Sequence, residues 1–161
     1  MAEVTSASGA RRSMPTVDEL RAWRSLIEVT QALRTQLGSR LQIESGISSG
    51  DYAVLLALSE AEGRTLRSSE LAATIDWERS RLSHHLGRME RRGLIRRDEC
   101  ATDNRGAEIS VTPQGLSIFR SASVPHLRAV RELFVDALTA EQIAAAEQIS
   151  AALWDHLRAR P

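Results

Sequence analysis

Between residues 68 and 115 the apolar rhythm of the chain changes twice, and few architectures accept that order. SSELAATI (68–75) reads as a short helix with Leu71, Ala72 and Ile75 on one compact face. Asp76, Trp77 and Glu78 follow as a connecting turn, with Trp77 an apolar plug between its neighbours. From 79 to 92, Leu82, Leu86 and Met89 recur at helical spacing, and Gly93 closes the segment. The rhythm then shortens. LIRRDEC (94–100) and GAEISVT (106–112) alternate in part around a five-residue loop, Ala101 to Arg105, which is the pattern of a two-stranded hairpin. Thr112 and Pro113 start another helix, a capping hydroxyl followed by proline at the first helical position. Helix, short turn, helix and hairpin predict a helix-turn-helix with a wing.

Long helices flank this centre. Thr16 and Glu19 fit a capping box, and Leu20, Trp23, Ile27, Leu33, Leu37 and Leu41 recur behind them as far as Gly46. A second helix starts at Ser48 or Ser49 and stops before Gly63. After Pro113, Leu116, Phe119, Leu127, Val130 and Phe134 carry a helix in which Pro125 is expected to make a kink or break. Thr139 to Gln142 is a further capping box, and Ile143, Ala146, Ile149, Leu153 and Leu157 continue to the C-terminus. The expected fold is mainly α with a small β-hairpin wing. Its expected parts are a flexible tail (1–15), an N-terminal dimerisation helix (16–46), a winged lobe (47–112) and C-terminal dimerisation helices (113–161). The terminal stripes are longer than a small central domain covers. They pair with a second copy, or pack on each other within one chain.

The helix over 79–92 has two unlike sides. Leu82, Leu86 and Met89 make the core side; Ser80, His84, Gly87 and Arg91 lie opposite, flanked by Ser83 and Arg88. The outward strip offers hydroxyls, an imidazole and guanidinium groups, all able to hydrogen-bond base edges or phosphates. His84 and His85 are about a quarter-turn apart and do not converge, so they form neither a metal pair nor a catalytic pair. His85 falls on the flank of the core side. No Asp, Glu or Cys stands at a metal-ligand spacing, and no nucleophile, base and orienting group assemble, so no catalytic residue, metal or cofactor is expected.

The charge is local. The 161 residues carry no formal net charge, yet Arg79 to Arg97 holds seven arginines and two histidines against one acid, Glu90. The single cysteine, Cys100, rules out a disulfide framework and is expected to be a small, buried or half-buried residue. No apolar run reaches the roughly 18 residues of a membrane span, and 1–14 lacks the apolar core of a signal peptide. A cytoplasmic protein is expected.

These residues resemble the MarR family of bacterial winged-helix transcriptional regulators. The resemblance rests on SELA (69–72), the run from Trp77 to Leu86, RMERRGL (88–94), the D-x-R-G of 103–106 and the T-P-x-G of 112–115. It implies a cytoplasmic homodimer that binds a double-stranded, pseudo-palindromic operator, most often as a repressor, and that a small aromatic or lipophilic effector releases. It implies Ser80, Ser83, His84 and Arg88 in the major groove, with Arg105 in the minor groove braced by Asp103. Arg79, Arg81, Ser68 and Ser69 would hold phosphates. Trp23, Tyr52, His126 and Trp154 are possible cleft residues, although aromatic residues at helical spacing are more often core, the reading preferred for Trp23 and Trp154. The alternative function is a winged helix used for protein interaction without DNA. It would call for apolar anchors on the outward strip, and there are none.

Overall fold

The computed structural model describes residues 14–99 and 107–159. Most of the expected tail, the loop at 101–105, and Cys100, Asp103 and Arg105 lie outside the described residues. The chain divides into one unit up to Thr35 and a second from Gln36 onward.

The first unit is the leading part of α1 (Val17–Ser45). Its start is the expected capping box. The backbone N–H of Glu19 donates to Thr16 Oγ1 at 3.3 Å, and that of Thr16 donates to Glu19 Oε2 at 2.6 Å. Trp23 is 60% exposed here rather than buried, together with Ile27.

The second unit continues with α2 (Ser49–Glu60), β1 (Thr65–Arg67), α3 (Ser68–Thr74) and α4 (Arg79–Arg91). Strands β2 (Ile95–Glu99) and β3 (Ala107–Val111) follow, then α5 (Pro113–Val130) and α6 (Ala140–Arg158). The expected two-stranded hairpin is a three-stranded antiparallel sheet in the order β1-β3-β2. Leu66 pairs with Ile109, and Arg97 pairs with the same residue from the other side. Three residues of Thr-Leu-Arg are too few to show alternation, which is why β1 is silent in the sequence. The fold is mainly helical with this small sheet.

A single apolar cluster holds the second unit together. Val54, Leu55 and Leu58 of α2, Leu71 of α3, Leu82, Leu86 and Met89 of α4, Leu94 just before β2, and Ile95 and Ile109 of the sheet are all buried. Burying side chains of this size stabilises by about 1.5–3 kcal/mol each before the entropy of ordering them. The expected core side of the 79–92 helix is therefore the observed one.

Pro125 does not break its helix. The segment from Pro113 to Val130 is continuous, and a π-turn over Arg131–Val135 follows it. Proline removes one N–H, hence one rung of the ladder. Ala122 and Ala129, on either side of it, are buried, so packing holds the helix where local propensity would end it. In α6, Leu153, Leu157 and Trp154 are exposed, and Trp154 is not a core residue.

Candidate nucleic-acid interface

The turn between α3 and α4 is built by backbone geometry. The Trp77 N–H donates to the Ala72 carbonyl at 2.9 Å, and Asp76 takes the left-handed conformation at φ 52°. Among non-glycine residues, Asp and Asn enter that region at the lowest cost. At its other end α4 closes in a Schellman motif. The N–H of Leu94 donates to the Met89 carbonyl and that of Gly93 to the Glu90 carbonyl, with Gly93 at φ 72°.

Between these ends, Ser80, Arg81, Ser83, His84 and Arg88 are exposed, while Leu82, His85, Leu86 and Met89 are buried. The two histidines thus part as the spacing requires. Arg79, Ser83 and Ser68 line one shallow cavity of ≈ 140 Å³ together with Arg97, which sequence reasoning did not single out. Arg97 Nε pairs with Glu90 Oε2 at 2.9 Å, tying strand β2 to α4. The sole acid of the basic run is therefore spent on holding the sheet to the helix. Ser69 is exposed in the first turn of α3. Arg81 lies over the ring of Trp77, 4.1 Å from its centroid, and is the one candidate phosphate ligand seen stacked on an aromatic face.

A buried carboxylate, also not singled out from the sequence, anchors α4 to α2. Asp51 is 3% exposed. Its Oδ2 accepts the N–H of Ser48 at 2.9 Å and Arg92 Nη1 at 2.8 Å, and its Oδ1 stands 3.1 Å from His85 Nε2. That last approach has hydrogen-bond length but poor alignment. Burial by itself would raise the Asp51 pKa. The contacts from His85, Arg92 and the Ser48 N–H outweigh it and hold the carboxyl well below the usual carboxylate range. The signal was present in part. Asp51 completes an S-x-x-D capping box, and the Ser48 hydroxyl in turn accepts the Asp51 N–H at 3.1 Å. Sequence spacing does not reveal that Arg92, 41 residues away, reaches the same carboxylate.

Of the possible cleft residues, Tyr52 and His126 come together with ring centroids 4.4 Å apart, next to Phe119. Burial pushes the His126 imidazole pKa down. Among the described residues no group of three or more His, Cys, Asp or Glu is placed to hold a metal ion. Nor, among them, is any helix long and apolar enough to cross a membrane.

A two-helix motif with a packed basic second helix and a strand pair behind it defines a winged helix-turn-helix regulator. The profile of the MarR family matches residues 45–106. Over 92% of this chain and 100% of its own, the MarR family regulator AbsC of Streptomyces coelicolor is 36% identical, with a TM-score of 0.84. Sco3205 of the same organism, a MarR family regulator solved in complex with DNA, is 35% identical over 91% of this chain and 92% of its own, with a TM-score of 0.85. The HTH-type transcriptional regulator PapX of Escherichia coli is 28% identical over 111 residues, 69% of this chain and 67% of that protein. The chain belongs to the MarR family of transcriptional regulators.

Proposed function

We propose that this regulator acts by binding double-stranded DNA with α4 in a major groove, where Ser80, Ser83, His84 and Arg88 meet base edges. The observation that carries the reading is the sidedness of α4. One face is locked into the core through Leu82, Leu86 and Met89, and the other offers hydroxyl, imidazole and guanidinium groups without an acid. The similarity to Sco3205, itself solved with DNA, supports it. Ser68, Ser69, Arg79 and Arg81 supply the phosphate contacts; for Ser68 and Arg79 the shared cavity supports that role. Arg105, braced by Asp103, enters the adjacent minor groove, where narrow tracts attract guanidinium groups.

Residues 47–112 form the reading lobe in this account, and 16–46 and 113–161 build a homodimer. Two lobes then meet a pseudo-palindrome with half-sites about 34 Å apart. Supporting the dimer, α1 exposes Trp23 and Ile27, and α6 exposes Ile149, Leu153, Trp154 and Leu157. Apolar stripes of this extent mark association surfaces. The protein works in the cytoplasm as a repressor, without enzymatic activity, and a small aromatic or lipophilic effector releases it. The test is selection of a preferred duplex from a random pool, followed by its affinity for Ser83→Ala, His84→Ala and Arg88→Ala. Loss of preference at separate base pairs supports the reading. Variants that bind every duplex as the parent does would remove α4 from the interface.

A further inference from the structure

Arg88 is exposed on α4, yet its guanidinium is not free. Its Nη2 lies 2.8 Å from Nδ1 of the buried His85. A guanidinium has only donors, so Nδ1 must present its lone pair, and the neutral ring carries its proton on Nε2. That nitrogen is the one facing Asp51 Oδ1 at 3.1 Å. The ring is also held on its other sides. Trp77 packs edge-on with centroids 5.1 Å apart at 89°. Beneath it is Gly50, where a β-carbon would come within 2.9 Å of His85 Cε1 and 2.8 Å of Trp77 Cη2. Asp51 itself is fixed by the α2 cap and by Arg92, beyond the last turn of α4.

We propose that Asp51 and His85 are positioning residues for DNA reading: they form a buried relay from the start of α2 through one imidazole tautomer to Arg88, and thereby set the guanidinium on the groove-facing surface. The inference rests on the DNA-binding reading above and assigns a role to two residues that touch no DNA. One of the five N–H donors of Arg88 is used by His85, and the others remain for a two-acceptor base edge such as guanine O6 and N7. A free arginine on a helix surface samples many rotamers, and discrimination between bases needs a geometry held to about 0.5 Å. Gly50 belongs to the device, since any side chain there would displace the ring.

The full-length protein and the duplex it selects supply the test. Affinities are measured for that duplex and for each of its single base-pair variants, at constant salt. Arg88→Ala should erase discrimination at one base pair per half-site, by about tenfold. His85→Phe should lose the same discrimination at the same base pair, with little further loss in the double variant. His85→Gln, whose amide can accept from Arg88 and donate to Asp51, should restore most of it. A loss spread equally over all base pairs, or no loss at the Arg88 position, overturns the relay while leaving the DNA reading intact. An Arg88→Ala variant that discriminates as the parent does overturns it too, and leaves Ser83 and His84 as readers. If the parent binds no duplex, the underlying reading fails and the relay with it. A measurement on the unaltered protein guards against a variant that does not fold. The ¹⁵N shifts of the His85 ring should show Nδ1 unprotonated and Nε2 protonated at neutral pH, and a proton on Nδ1 refutes the arrangement.

Discussion

Replacing Asp51 by Asn keeps the shape of the anchor and changes only its charge and donor pattern. In the parent, Oδ2 takes two donors, the Ser48 N–H and Arg92, and Oδ1 faces the Nε2 of His85. An amide has one oxygen. If it serves Ser48 and Arg92, the NH₂ group confronts the His85 N–H; if it serves His85, the NH₂ confronts two donors. The first orientation turns an N–H toward the His85 N–H that a carboxylate oxygen faced in the parent, and the second leaves the Ser48 N–H and Arg92 without an acceptor, so either costs about 1–3 kcal/mol. Loss of the charge-assisted bond to Arg92 adds at most about 1 kcal/mol, because that side chain is 43% exposed and screened. The expected total is about 1–4 kcal/mol. Urea unfolding followed by far-UV circular dichroism reads it directly, at one fixed protein concentration because association shifts apparent stability. The pH dependence follows from the depressed carboxyl pKa. A group whose folded pKa lies below its unfolded value, about 3.9 for Asp, contributes stability that is complete above that value and is lost as pH falls through the folded one. The gap between parent and Asp51→Asn should therefore be flat near neutrality and close progressively below about pH 4. A gap under about 0.5 kcal/mol at pH 7, or one that widens in acid, refutes the reasoning.

Other outcomes follow from single contacts. A β-carbon on Gly115 would stand 2.0 Å from the Leu94 carbonyl oxygen, so Gly115→Ala should destabilise by about 3 kcal/mol or fail to fold, as thermal melting would show. At Asp76, φ 52° makes Asp76→Val cost about 1–2 kcal/mol, whereas Asp76→Gly should melt at or slightly above the parent temperature. Leu153→Glu puts a charge in the exposed apolar stripe of α6 and should shift sedimentation from dimer toward monomer; unchanged sedimentation would take that stripe out of the interface. Arg105→Ala should weaken duplex binding with no change in melting, and unaltered affinity would remove the wing from the mechanism.

Much of the element order was legible because its signals are local. The capping pairs Thr16 with Glu19 and Thr139 with Gln142, the Thr112-Pro113 start and the Gly93 stop all depend on residues within a few positions of each other. The separation of His84 from His85 follows from helical geometry alone. What stayed hidden needs distance. Strand β1 exists because Ile109 accepts a partner 43 positions upstream, and three residues cannot announce that pairing. Asp51 looks like an ordinary helix-start acid until Arg92 and His85 close on it. For the same reason Pro125 does not end its helix, since tertiary packing of Ala122 and Ala129 overrides a local breaker. Trp23 and Trp154 sit at helical spacing with other apolar residues, a pattern that serves a core and an association surface equally well.

If the exposed face of α4 reads duplex DNA, equilibrium binding shows it most directly. A labelled duplex containing the selected pseudo-palindrome should be bound in competition with an equal-length scrambled duplex, across a salt series. The selected sequence should win by at least a hundredfold, a preference of about 2.7 kcal/mol. The logarithm of affinity should fall linearly with the logarithm of salt, by about 0.9 per phosphate contact. Equal binding to both duplexes at every salt, or no binding at the lowest, would contradict that reading.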